Sequence, residues 1–286
     1  MNASPTHYAV VDQASALATV ANASRSFGMQ IALIALAFLA ADHLTVNAQN
    51  VPVLTPQKVK AVRTKQPANS SSDRVLRHAV FFSFKETSNE QQVQGVVDAF
   101  AALPQKIDAI IDFQSGTNNS PEGLDDGFTH CFLLTFQNEA GREIYLPHPA
   151  HTGEFASTLR PHLKDVFVID YWGKTSANDQ KRELKHAVFF KFKDDADPAE
   201  VKRVEEAFAA LPSKINSIKS FEWGKNNSPE THDDGFTHCF MVTFNSKKGR
   251  EKYLPHPDHK AFVEVLKPVL EKVRVLDFWE DGYKTK

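Results

Sequence analysis

The chain repeats itself at a fixed offset of 108 residues, and no other feature limits its fold as much. His78-Ala-Val-Phe-Phe-Ser-Phe-Lys85 returns as His186-Ala-Val-Phe-Phe-Lys-Phe-Lys193. Asp125-Asp-Gly-Phe-Thr-His-Cys-Phe132 returns as Asp233-Asp-Gly-Phe-Thr-His-Cys-Phe240, and Tyr145-Leu-Pro-His-Pro-Ala-His151 as Tyr253-Leu-Pro-His-Pro-Asp-His259. Aligned without gaps, 77–152 and 185–260 are identical at 44 of 76 positions. Solenoid units recur every 20–50 residues or so; this period is the size of a whole small domain. Two homologous units therefore fill most of the 286 residues. Each can hold only a small core, and units of this size gain from pairing.

The boundaries follow from composition. Residues 1–48 form an N-terminal extension holding the 11-residue apolar run Ile31–Ala41. That run is short for a membrane span, which needs roughly 20 residues. It suits the apolar core of a secretory signal, and Val46-Asn-Ala48 supplies small residues where a signal peptidase cuts. Export, periplasmic or secreted, is the expectation, with no stable membrane span after cleavage. An uncleaved membrane anchor is the alternative, and Met29 is a second candidate start. Residues 49–76, rich in Pro, Ser, Lys, Gln and Asn, read as a flexible linker. Unit one runs over 77–173, a second linker over 174–183 and unit two over 184–283. A net charge of −2 without a long basic run gives nucleic acid nothing to bind. The two cysteines, Cys131 and Cys239, are too few for a disulfide scaffold and wrongly spaced for zinc. Export would permit a bridge between them; the alternative is a pair of small buried hydrophobes.

Each unit reads β-α-β-β-α-β. Val80–Phe84 is a strand by its β-branched and aromatic residues. Val93, Val96, Val97 and Phe100 recur at helical spacing, as do Val201, Val204 and Phe208, and Pro104 and Pro212 end those helices. Ile107–Phe113 reads as the second strand, and a long polar loop with Asn118-Asn-Ser-Pro-Glu122 reads as turns. Thr129–Phe136 is the third strand, Gly141–Leu146 a short helix, Phe155–Leu163 another, and Val166–Trp172 the closing strand. Side chains alternate faces along a strand. One face of the first strand carries His78, Val80, Phe82 and Phe84, the other Ala79, Phe81 and Ser83. In the third strand His130, Phe132, Leu134 and Phe136 oppose Cys131, Leu133 and Thr135. Neither face is polar as a solvated one would be. The unit's own helices can cover one face. The matching face of the second unit, with Ala187, Phe189, Cys239 and Met241, can cover the other. The predicted fold is α+β: two units packed sheet to sheet, helices outside, as an intrachain pseudo-dimeric barrel.

A strand opening on His-Ala-Val-Phe-Phe, a central Gly-Phe-Thr-His, a Tyr-x-x-His-Pro-x-His segment and a final Asp-Tyr/Phe-Trp strand resemble the stress-responsive α/β-barrel domain (Dabb) family. The resemblance covers both units. It implies a ferredoxin-like fold in each, and single-domain members that dimerise sheet to sheet. It also implies plant stress proteins without known catalysis beside a plant polyketide cyclase. By resemblance to that cyclase the catalytic pairs are His151 with Tyr145 and His259 with Tyr253. The ligand-binding histidines are His78 and His130, then His186 and His238.

Eight of the twelve histidines stand at repeated positions: 78, 130, 148, 151, 186, 238, 256 and 259. Were the Tyr145–His151 segment to fold over the face bearing His78 and His130, three imidazoles and a phenol would converge. A His titrating near neutrality is a suitable general base, and a Tyr hydroxyl can stabilise an enolate oxygen. The reaction class is proton abstraction next to a carbonyl, leading to cyclisation or isomerisation. Packing is the competing role for the strand histidines, and helix capping for His148 and His256. His-Pro-x-His could offer metal ligands, but no carboxylate or Cys joins it at motif spacing, so neither metal nor other cofactor is expected. The expectation is a barrel protein that binds a small apolar or aromatic molecule or serves structurally; a cyclase- or isomerase-like enzyme is the alternative. Further oligomerisation stays open.

Overall fold

The structure, a computed structural model, describes residues 74–175 and 182–282. The extension with its apolar run, most of the first linker and the centre of the second lie outside the described residues. Unit one opens with β1 (Arg74–Phe84). This strand starts inside the segment read as linker, because Val75 and Leu76 are buried and pair with Gly173 and Trp172. Next comes α1 (Glu90–Ala101), whose N-cap Asn89 and Gln92 form a reciprocal capping box and whose inner face buries Val96 and Phe100. A 3₁₀ turn at Leu103–Gln105 follows, with Pro104 near its start. The expected strand from Ile107 begins later, as β2 (Ile110–Thr117). The Ile107 N–H is still tied to the Leu103 carbonyl at 2.9 Å, so the turn and not the sheet holds it. Then come β3 (His130–Phe136), α2 (Glu139–Tyr145), a π-helical turn Ala150–Phe155, α3 (Ala156–Leu159) and β4 (Leu163–Lys174). The helix predicted over Phe155–Leu163 is thus a π-turn leading into four α-helical residues.

Unit two comprises β5 (Leu184–Phe192), α4 (Pro198–Ala209), α5 (Leu211–Lys214), β6 (Ser220–Lys225), β7 (His238–Phe244), α6 (Lys247–Tyr253), α7 (Pro257–Leu266), β8 (Leu270–Trp279) and β9 (Asp281–Gly282). Where unit one has its π-turn, α7 is a regular helix. Phe155 and Phe262 do the same work, packed 4.4 Å from Phe100 and 4.5 Å from Phe208, yet they lie 107 residues apart (262 − 155). Unit one has one extra residue here and absorbs it by widening a helical turn. Beyond this point the copies run at offset 107.

Both sheets are antiparallel. Their orders are β4-β1-β3-β2-β9 and β6-β7-β5-β8, so the last short strand of unit two joins the sheet of unit one. The sheets pack face to face. Ala79, Phe81, Cys131, Leu133, Phe167 and Ile169 meet Ala187, Phe189, Cys239, Met241 and Leu276 in one buried layer. Phe81 and Phe167 both touch Phe189 edge-on, at 5.2 and 5.0 Å. Cys131 and Cys239 are free thiols inside this layer, and burial pushes both well above the ordinary thiol range. Each unit's helices cover its other sheet face over a separate core. At the seams β2 runs beside β8 and β4 beside β6. Gly116 and Gly224 permit this: a Cβ on Gly116 would lie 2.4 Å from the Trp279 carbonyl oxygen, and one on Gly224 2.9 Å from the Tyr171 Cβ. Among the described residues no helix is long and apolar enough to cross a membrane.

The loops after β2 and β6 do more than turn. Asn118 Nδ2 donates to Asp125, and the Asp125 carboxylate accepts from the Gly127 N–H, which folds the loop on itself. The folded loop then crosses to the other unit. The Asn119 N–H donates to the Asp277 carbonyl at 2.8 Å, and Asn118 Oδ1 accepts from the Asp277 N–H at 3.0 Å. Asn227 and Asn226 make the mirrored pair with Asp170, at 2.9 and 3.1 Å.

Candidate functional site

Each loop arrives beside a histidine, and the result is two equivalent composite sites. In the first, β1 places His78 and the neighbouring β4 places Asp170 directly opposite it. His78 Nδ1 lies 2.6 Å from Asp170 Oδ1. The other Asp170 oxygen accepts from Arg142 of α2 at 2.7 Å. Arg142 also donates to the backbone and side-chain oxygens of Asn227, at 2.9 and 3.0 Å, so unit two holds the guanidinium. Glu230, at the end of the same incoming loop, sets its Oε2 3.8 Å from His78 Nε2. The second site repeats this with His186 2.6 Å from Asp277, Arg250 2.5 Å from Asp277 and Asn119 on Arg250; Glu122 Oε2 there lies 3.8 Å from His186 Nδ1.

Burial would depress the His78 imidazole, but the Asp170 carboxylate, its hydrogen bond and Glu230 outweigh that and raise it above its ordinary value. His186 is raised in the same way by Asp277 and Glu122. Burial raises the Glu122 carboxyl, with Asp277 adding to the effect. One oxygen each of Glu122 and Glu230 is buried without a hydrogen-bond partner.

Tyr145, the last residue of α2, lies edge-on to His78 at 5.5 Å and stacks on His151 at 4.3 Å. Tyr253 lies edge-on to His186 at 5.6 Å and meets His259 at 4.3 Å with the rings tilted by 41°. Both phenols are buried and shifted upward, chiefly by desolvation. The Tyr253 hydroxyl has no hydrogen-bond partner. His151 and His259 are half-buried at the rim. Their Nδ1 atoms sit 3.0 Å from the carbonyls of Leu146 and Leu254. A carbonyl only accepts, so Nδ1 carries the proton and Nε2 keeps its lone pair. Burial lowers both imidazoles, which favours the neutral form.

His130 and His238 do not join these clusters. His130 pairs with Phe82 in the β1–β3 register while His78 pairs with Leu134. The two histidines are thus four residues apart along the ladder, about 13 Å at the usual strand rise. Two imidazoles and a phenol converge, not three. His130 bonds Thr129 at 2.9 Å and meets Phe84 edge-on at 4.9 Å. His238 bonds Thr237 and Glu205, at 2.8 and 2.9 Å, and borders a surface depression of about 390 Å³ with Lys225 and Asn226. His148 and His256 accept from the N–H two residues on, at 3.1 and 3.2 Å, as helix-capping groups. One metal-like grouping stands out among the described residues: Glu122, His186 and Asp277 offer ligand atoms within 4.8 Å of one another. Both Asp277 oxygens are already taken, by His186 and by the Arg250 guanidinium, so a cation is in place there.

Arg142, Asp170, Glu230 and Asn227 escaped the sequence reading, as did their partners Arg250, Asp277, Glu122 and Asn119. All were visible as repeated residues. Asp170 and Asp277 even open the Asp-Tyr/Phe-Trp segment, but nothing in one strand says which histidine lies across the ladder.

Two ferredoxin-like units closing one barrel, each completing the other's His-Asp-Arg cluster, define an α/β-barrel protein of the paired-domain kind. The chain belongs to the family described as Stress responsive A/B Barrel Domain, which matches residues 76–173 and again 184–280. The stress-response A/B barrel domain-containing protein HS1 of Arabidopsis thaliana is 35% identical over 100 residues, 35% of this chain and 92% of HS1. Olivetolic acid cyclase of Cannabis sativa is 30% identical over 95 residues, 33% of this chain and 94% of that protein. Among solved structures, an anthrone oxidase-like protein covers 74% of this chain and 92% of its own at TM-score 0.52 and 10% identity, a likeness of fold.

Proposed function

We propose that the protein binds a small aromatic or carbonyl-bearing molecule at two equivalent sites, and that His151 and His259 act on it as proton acceptors. The supporting observation is the fixed tautomer: Nδ1–H held by a backbone carbonyl, Nε2 free on a neutral imidazole packed 4.3 Å from a buried phenol ring. Nε2 takes a proton from the carbon next to a carbonyl, and the imidazolium formed keeps its Nδ1–H on the Leu146 or Leu254 oxygen. The Tyr145 or Tyr253 hydroxyl donates to the developing enolate oxygen. A general base of this kind contributes roughly 10²–10⁴-fold to rate. That a 30% identical relative is a cyclase supports the same chemistry. Delivery to an exported compartment belongs to this proposal and rests on the Ile31–Ala41 run with Val46-Asn-Ala48; N-terminal sequencing of the mature protein checks it.

The test is mass spectrometry of small molecules that co-purify with the wild type and with His151→Ala/His259→Ala. A ligand retained by the wild type and lost by the variant supports the proposal. No ligand in either, together with a sharp fall in thermal stability of the variant, sinks it in favour of packing. One observation favours that structural reading: the space between sheet and helices is filled by Phe82, Phe100, Phe132 and Phe155, with ring centroids 4.4–6.4 Å apart.

A further inference from the structure

The two units are not interchangeable where they meet. Arg274 of β8 lies inside the barrel, 3% exposed at its side chain, with its guanidinium over three phenyl rings: Phe167 at 4.2 Å, and Phe128 and Phe236 at 4.7 Å each. It bonds Asp126 of unit one at 2.6 Å and Asp234 of unit two at 2.9 Å. These two aspartates are repeat counterparts, and both hold left-handed backbone at φ 50° and 51°. Such backbone is costly for a residue other than glycine and persists where surroundings impose it. At offset 107 the counterpart of Arg274 is Phe167, the ring it stacks on. The counterpart of Lys272, which reaches Asp126 at 2.9 Å, is Asp165. Arg274 therefore bridges two acids where the units meet, with Lys272 as a second cation on Asp126.

One seam carries the same asymmetry. Glu222 of unit two accepts from three groups of unit one: Arg77 at 3.0 Å, the Tyr171 hydroxyl at 2.9 Å and the Lys174 N–H at 3.0 Å. It can do so because Gly173 leaves room; a Cβ there would lie 2.8 Å from Glu222 Oε2. The counterparts of Tyr171 and Gly173 in unit two are Phe278 and Glu280.

We propose that unit two is built to pair with unit one and not with a copy of itself, and that Arg274 is the residue that decides it. Two copies of unit two would bring two buried guanidinium groups together at the centre. At each seam they would set Glu222 against Phe278 and Glu280, with a donor lost and a carboxylate in the space of Gly173. Two copies of unit one would leave both Asp126 carboxylates without Arg274 or Lys272. Only the unlike pair sets two cations, Arg274 and Lys272, against the two acids Asp126 and Asp234. A unit-two pair would set four cations against two Asp234 carboxylates, and two guanidinium groups sharing one buried space repel each other strongly.

Substitutions in the intact chain imitate each like-with-like pairing. Phe167→Arg recreates the centre of a unit-two pair, Arg274→Phe that of a unit-one pair, and F167R/R274F the unlike pair with the roles exchanged. Thermal unfolding is the readout. Each single variant is expected to unfold roughly 10 °C below the wild type, and the double variant to regain more than half of that loss. Failure of a single variant to fold at all is the same result in stronger form. A single variant within 2 °C of the wild type, or a double variant no more stable than the worse single, overturns the proposal.

Discussion

The buried histidines fall into two groups whose titrations run in opposite directions. His130, His151, His238 and His259 are lowered by burial, so folding expels their protons and stability rises with pH up to about 6.5, the ordinary imidazole value. His78 and His186 are buried too, but Asp170 and Asp277 more than offset this and hold them above that value. Their contribution is whole below about 6.5 and is lost as pH climbs through the raised folded-state value. Urea midpoints should therefore rise through mildly acidic pH, peak near neutrality and fall above it; a midpoint still rising at pH 9 would contradict the assigned partners. Tyr253 gives a second residue-scale expectation. Its hydroxyl is buried with no hydrogen-bond partner. Tyr253→Phe should leave the unfolding midpoint unchanged or slightly higher, since an unpaired buried hydroxyl stabilises nothing. A loss above about 1 kcal/mol would mean the hydroxyl is bonded after all.

Among the elements, the π-turn of unit one and the crossing loops are where the copies say most. Ala150–Phe155 accommodates one residue that α7 lacks, and Gly153 within it touches nothing a Cβ would meet. Deleting Gly153 should convert the turn to regular helix, keep Phe155 on Phe100, and move the melting temperature by no more than about 3 °C. A fall above 10 °C would show that the wide turn is required. The repeat up to Thr152 and Lys260 runs without a gap, so it carries no sign of this register change. Strand alternation, by contrast, was fully legible: Phe81 and Phe189 point into the shared layer because period two leaves no other arrangement with both faces apolar. The loops holding Asn118-Asn-Ser-Pro-Glu122 and Asn226-Asn-Ser-Pro-Glu230 were legible only as turns. Their Asn and Glu side chains serve a surface supplied by the other unit, and no local pattern encodes that.

For the molecule as a whole, tandem fusion makes the partner part of the chain. Each His-Asp-Arg cluster receives Asn and Glu from the opposite unit, so neither site is complete within one copy. The paired fold could be argued from the repeat and the apolar sheet faces. The composite site could not, because it depends on which loop crosses to which histidine. NMR titration of the His78 and His186 imidazoles reads that crossing directly. Glu230→Gln should lower the pKa of His78 and leave His186 where it was; Glu122→Gln should do the reverse. If each substitution instead moves the histidine of its own unit, or neither moves, the sites are not shared between the two units.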